Sequence, residues 1–182
     1  PPTAGRWDEK ADRILAATGM TEGYCLMLGL AEGRLAESLA RRSDLHVICV
    51  DPDSKKVAEI RRRLDATGLY GSRIAVRTGV PCSFPLPPYL ASLIVSEDLA
   101  SAGLNHQDFV ERLFHPLRPY GGTACLEIPT SGRNVFRDRV EAAGLADVKL
   151  KATEEFLLLT RVGPVPGAAD VTHEGVDAAN TY

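Results

Sequence analysis

The feature that most constrains this chain is the stretch Gly23-Tyr24-Cys25-Leu26-Met27-Leu28-Gly29-Leu30-Ala31-Glu32-Gly33-Arg34-Leu35. It reads as a buried strand, a turn of small residues and a helix start. The apolar run Tyr24 to Leu28 has the length of a strand covered on both faces, as in a parallel sheet. Gly29, Ala31 and Gly33 withdraw side chains where the chain must reverse and where a ligand could approach the backbone. The helix expected from about Gly33 to Arg42 points its free N–H groups and positive dipole end back at that turn. Such a junction can cradle a nucleotide.

The pattern repeats in outline. A helix is expected over Trp7 to Thr18, stopped at Gly19, after a linker-like Pro1–Gly5. After the opening strand and helix comes Asp44 to Asp51, a buried strand ending on an acid. Asp53 or Ser54 can cap the next helix, which runs to about Thr67 with Val57, Ile60 and Leu64 on one face. Lys55, Lys56, Arg61, Arg62 and Arg63 fall mostly on the other, a solvated face rather than a docking patch. Further strands are expected at Arg73–Arg77, Leu90–Ser96 and Thr123–Ile128, with helices at Asn105–Leu117 and Val135–Ala143. Val148–Ala152 and Phe156–Arg161 are close enough to form a hairpin. This alternation argues an α/β fold, a doubly wound, mostly parallel sheet with helices on both faces. From Val162 the character changes to Gly, Pro and small polar residues. Residues 1–161 are therefore expected to form one domain, and 162–182 a linker or the start of another.

Composition excludes several classes. The chain has 182 residues and a net charge of −3, which gives no general electrostatic case for nucleic acid or an anionic membrane. No apolar run approaches the roughly 18 residues of a membrane span. Cys25, Cys49, Cys82 and Cys125 sit unlike any zinc or disulfide pattern and read as buried hydrophobes. The histidines have no metal spacing either: His106 and His115 are nine residues apart. No signal peptide is visible, but the chain does not begin with Met and reads as a piece of something longer. The compartment is left open: cytoplasmic by default, periplasmic or secreted if a parent chain carries a signal.

In open α/β sheets, ligands bind beyond the carboxyl ends of the strands. Those ends supply Gly29, Ala31 and Gly33, then Asp51, then Gly79 and Val80, then Ser96 and Glu97. Asp51 follows Gly29 by 22 residues and can accept two hydrogen bonds from a ribose diol. The Gly79–Val80 backbone can face an adenine edge. Ser96 and Glu97 fall nearest the reacting end, with Glu97 the candidate substrate contact. A dinucleotide fingerprint wants G-x-G-x-x-G, and the spacing here, G-x-A-x-G, departs from it. No P-loop lysine appears, which disfavours a nucleoside triphosphate.

Together these segments resemble the class I S-adenosylmethionine-dependent methyltransferases. The matching residues are Leu26 to Gly33, Val47 to Asp51, Thr78-Gly79-Val80, Leu93 to Ser96 and Leu117 to Gly122, in the family's order, within residues 7–161. The resemblance implies S-adenosylmethionine as cofactor and a Rossmann-like seven-stranded sheet whose last strand is antiparallel. It implies cofactor contacts at Gly29, Ala31, Gly33, Asp51, Gly79, Val80 and Ser96. The chain departs from the family at Met27, where an acid is usual, at Ala31, where Gly is usual, and at Val80, where Asp is frequent. The tail Pro166 to Thr181 resembles the entry to a pyrroloquinoline-quinone-type (PQQ) β-propeller, with Val171 in place of Trp. Two functional readings follow. One is a methyltransferase-like domain acting on an unidentified small molecule or protein group. The other is a non-catalytic scaffold or regulatory module in a quinoprotein-like fusion, with the propeller as covalent neighbour. A nicotinamide dehydrogenase is disfavoured by the turn spacing.

Overall fold

The computed structural model describes residues 3–164. In chain order the elements are α1 (Thr3–Thr18), β1 (Glu22–Leu28), α2 (Arg34–Arg42), β2 (Asp44–Asp51), α3 (Ser54–Ala66) and β3 (Ile74–Thr78). A 3-10 turn at Pro81–Ser83 leads to β4 (Ala91–Val95), α4 (Leu99–Ala102), α5 (Phe109–Phe114), β5 (Thr123–Leu126), α6 (Thr130–Ala142), β6 (Val148–Ala152) and β7 (Leu157–Arg161). The seven strands form one sheet in the order β3-β2-β1-β4-β5-β7-β6. Pairing is parallel from β3 to β5, and β7 runs antiparallel to both β5 and β6. This is the seven-stranded Rossmann-like sheet with an antiparallel last strand that the sequence implies.

Alternation along the strands builds two cores. Cys25, Met27, Val47, Cys49, Leu93 and Val95 cluster with apolar residues of α1, α2 and α3. Leu26, Leu28, Val50, Ile94, Ala124 and Leu126 cluster with α4, α5 and α6 on the opposite face. Met27 is fully buried in the first core, so the position where relatives by resemblance carry an acid is here a packing residue. All four cysteines are buried free thiols. Burial pushes the Cys125 thiol up to about 12 and raises the Cys25 and Cys49 thiols well above the usual range.

Three helix boundaries differ from the sequence expectation. α1 begins at Thr3, inside the stretch expected as a linker, because buried Trp7 and Ala11 anchor the turn before them. The helix expected over Asn105–Leu117 is only the shorter α5, and a separate short helix, α4, precedes it. Asp98 caps α4 by accepting from the Ala100 and Ser101 N–H groups, and Gly103 ends it at φ 92°. α6 starts at Thr130, directly after Pro129, where Arg133 ties its first turn to the Ile128, Thr153 and Glu154 carbonyls. The tail resemblance over Pro166–Thr181 lies outside the described residues. No helix among the described residues is long and apolar enough to cross a membrane.

Candidate functional site

β1 lies between β2 and β4, so the direction of winding reverses at that pair. Their carboxyl ends, Gly29 and Ser96–Glu97, meet at the place where open α/β sheets hold ligands. The chain leaves β1 through Gly29 at φ 77°, with the Gly29 N–H donating to the Val50 carbonyl at 2.9 Å. It enters α2 through Gly33 at φ 68°, which stands at the N-cap with no side chain to offer. The free N–H groups of this turn need an acceptor from elsewhere.

Glu97 supplies it. Its Oε2 accepts from the N–H groups of Ala31 at 2.9 Å, Glu32 at 2.9 Å and Gly33 at 2.7 Å. Its Oε1 accepts from the Leu35 N–H at 2.7 Å. Four amides of the turn and the first turn of α2 thus converge on one carboxylate. A negative group at that end is also favoured by the helix dipole. The backbone continues the contact, since the Glu97 and Asp98 N–H groups both donate to the Gly29 carbonyl.

Asp51, at the end of β2, is fully buried. Its Oδ2 accepts from the Leu30 N–H at 2.7 Å and from Lys56 Nζ at 3.1 Å, and its Oδ1 accepts from the Asp53 N–H at 2.9 Å. Lys56 also donates to the Leu30 carbonyl at 2.6 Å. Asp51 therefore neutralises Lys56 and ties the glycine turn to the start of α3. Asp53 caps α3, accepting from the Lys55 and Lys56 N–H groups, which hold its carboxyl below the usual range. Asp98 is lowered too, chiefly because the Ser101 hydroxyl donates to it. The Ser96 hydroxyl accepts from the Asp98 N–H at 3.1 Å.

The small residues of the site leave room that the protein itself fills. A Cβ on Gly29 would lie 2.2 Å from the Asp98 carbonyl oxygen and 2.6 Å from the Ala102 nitrogen. A Cβ on Gly79 would lie 2.5 Å from the Phe84 ring. Val80 is 56% exposed beside it. Gly29, Ala31, Gly33, Asp51, Ser96 and Glu97 are drawn together around the turn. Gly79 joins through its N–H, which donates to the Asp51 carbonyl at 3.0 Å.

Lys56, expected on a solvated basic face, turns instead onto Asp51 and the Leu30 carbonyl. Its signal was present: a lysine in the first turn of a helix opposes the dipole and needs another partner. Within the basic run, Lys55 and Arg62 are exposed as expected, but Arg61 and Arg63 are not simply solvated. Arg61 donates to the Val76 carbonyl and Arg63 to the Glu32 carbonyl, closing α3 onto β3 and the turn. A separate cleft of 480 Å³ opens between the loop of residues 81–88 and α5, lined by Cys82, Phe84, Asp108, Glu111, Arg112 and His115. The Cys82 thiol donates to the Ala102 carbonyl at 3.2 Å, so α4 stands between this cleft and the turn. Among the described residues no cluster of His, Cys, Asp and Glu could hold a metal ion.

No protein-family model matches this chain, and no curated protein matches it in sequence. Solved structures do match in fold. A protein from Methanococcus maripaludis, provisionally identified as an S-adenosyl-L-methionine-dependent methyltransferase, superposes with a TM-score of 0.68 at 20% identity, over 87% of this chain and 85% of its own. The [4+2]-cyclase SpnF follows with a TM-score of 0.65 at 16% identity, over 80% of this chain and 59% of its own. Phosphoethanolamine N-methyltransferase 2 of Haemonchus contortus, solved with S-adenosyl-L-methionine, gives 0.63 at 16% identity, over 79% of this chain and 38% of its own. The chain has the Rossmann-like fold of S-adenosylmethionine-dependent methyltransferases.

Proposed function

We propose that this is a methyltransferase-like domain whose cofactor site is the Gly29–Gly33 turn, with S-adenosylmethionine as the ligand. The observation that carries the reading is the convergence of four turn amides on one anion-holding spot at the β1/β4 junction, beside the acid that ends β2. In this reading the glycine turn holds the methionine end of the cofactor. Asp51 accepts the ribose hydroxyls, and the Gly79–Val80 backbone faces the adenine. Ser96 lines the reacting end, where a small molecule or protein group would be presented. The bound cofactor supplies a methyl group already activated on sulfur, so the protein's task is proximity and alignment. That task needs no catalytic dyad.

The fit holds for the backbone path and not for the side-chain contacts of this conformation. Asp51 already accepts from three donors, and Glu97 occupies the amides. This favours a second reading, a non-catalytic scaffold that keeps the fold. The fold itself does not choose, since it hosts unrelated reactions.

Isothermal titration of the folded chain with S-adenosylmethionine and S-adenosylhomocysteine separates the two. Saturable heat at ligand concentrations up to millimolar supports the cofactor reading. No heat, with the protein folded by circular dichroism, leaves the scaffold. Titration of NADH fluorescence checks the dehydrogenase possibility in parallel.

A further inference from the structure

Glu97 makes no ion pair among the described residues, and its hydrogen bonds go instead to backbone amides at the mouth of the candidate site. We propose that Glu97 is a built-in plug: an intramolecular carboxylate that occupies the turn amides and must leave before a ligand can use them. The inference rests on the turn being the ligand site and concerns how that site is regulated.

Three features support a plug over an incidental contact. First, the carboxylate satisfies the Ala31, Glu32, Gly33 and Leu35 N–H groups together, so it leaves a ligand's negative group no free donor among them. Second, the segment carrying it is seated on the turn. Glu97 and Asp98 N–H donate to the Gly29 carbonyl, and Asp98 O and Ala102 N fill the space where Gly29 lacks a Cβ. Third, the second polar anchor is closed in the same conformation: Asp51 is fully buried under Lys56, whose ammonium also binds the Leu30 carbonyl of the turn. Lys56 and Asp51 are thus matched to each other, and the Glu97 carboxylate is matched by backbone amides. A ligand that brings its own carboxylate also meets Glu97 as a like charge.

Glu97 is only half-buried, so the side chain can rotate outward into water without unfolding β4. The freed amides would then be a helix N-terminus of the kind that binds anions. The plugged and open states thus differ by exchange of one carboxylate for another, and ligand affinity is lowered by whatever free energy holds Glu97 in place.

The test uses the full chain, ¹⁵N-labelled, as wild type, Glu97→Ala and Glu97→Gln. Each is titrated with sodium sulfate at constant ionic strength, and separately with S-adenosylhomocysteine. The plug predicts that the Ala31, Glu32, Gly33 and Leu35 amide resonances move saturably with sulfate in Glu97→Ala and stay unmoved in wild type. The same response in both proteins, or in neither, overturns it. Should Glu97→Ala fail to fold, Glu97→Gln carries the comparison, because its amide oxygen still caps one or two donors without the charge. For S-adenosylhomocysteine, tightening by about tenfold or more in Glu97→Ala supports the plug, the scale of losing one charge-assisted competitor. Equal affinity in the two proteins refutes the plug and leaves the cofactor reading standing. A sulfate response without any nucleoside binding keeps the plug and removes the cofactor reading.

Discussion

Asp51 can be a ligand residue, a structural residue, or both, and its burial allows the structural share to be measured without any ligand. In Asp51→Asn the shape is kept, but one oxygen becomes an NH₂ group. The remaining oxygen is best placed toward the Leu30 N–H and Lys56, which together hold two of the three bonds. The new NH₂ then faces the Asp53 N–H, donor against donor, and that bond is lost. The two surviving bonds also lose the carboxylate's charge, which leaves the Lys56 ammonium without its counter-ion. Hydrogen bonds to a charged group contribute about 1.5–3 kcal/mol, and a buried unpaired donor costs about 1–3 kcal/mol. The substitution should therefore destabilise by roughly 2–4 kcal/mol, at the lower end if water reaches the site beside Lys56, whose side chain is 26% exposed. For a domain of this size that is a drop in Tm of about 2–4 °C per kcal/mol. Lys56→Met should cost at least as much, about 3–5 kcal/mol, because it leaves the fully buried Asp51 charge without a counter-ion, held only by the Leu30 and Asp53 amides. The double variant should cost less than the sum, since the second change removes a partner already compromised. Urea unfolding followed by the fluorescence of buried Trp7 reads all four proteins. If Asp51→Asn unfolds within about 0.5 kcal/mol of wild type, the network does not hold the turn, and Asp51 is free for a ligand.

Arg161 is 7% exposed, donates to the Phe114 carbonyl at 3.0 Å, and stacks 3.9 Å from the Phe114 ring centre and 5.0 Å from that of Tyr89. Arg161→Ala should destabilise by about 2–4 kcal/mol in urea, with Arg161→Met recovering much of it by refilling the stack. The thiols should be inert in the native state at neutral pH, with Cys82 the first to react with a disulfide reagent, since it alone lines an open cleft. Rapid labelling of Cys25, Cys49 or Cys125 would contradict their burial. Asp98 is held below the ordinary carboxylate range in the folded state, so the unfolded chain binds its proton first on acidification. Its contribution is complete above about pH 4 and is lost as pH falls through the folded value, so stability against pH should fall less steeply below about pH 4 in Asp98→Asn.

Much of the fold was legible because it rests on local rules. The apolar run Tyr24–Leu28 has the length of a covered strand, and Cys25–Leu28 is buried within β1 while Tyr24 stays exposed at its entry. The small residues after it could only turn. The repeated strand–helix order dictated a parallel sheet, and the short link between Val148–Ala152 and Phe156–Arg161 dictated the antiparallel closure. The ends of β1, β2, β3 and β4 were readable as the candidate site because winding direction decides where strand ends gather. Helix boundaries were less legible: Gly103, Pro129 and Arg133 act through caps and tertiary ties that periodicity does not report.

What the sequence determined by itself is therefore the frame: which segments are strands, which acid ends β2, and where a backbone turn offers unpaired amides. Only the tertiary structure decided what those groups do. It brought Glu97 across 62 residues to Leu35 and 66 to Ala31, and it folded Lys56 back over Asp51. Unpaired N–H groups and buried carboxylates must find partners, and proximity in space, not in sequence, chooses which. At this site the partners came from within the chain, so the glycine turn that reads as an open cradle is one that the protein has closed on itself.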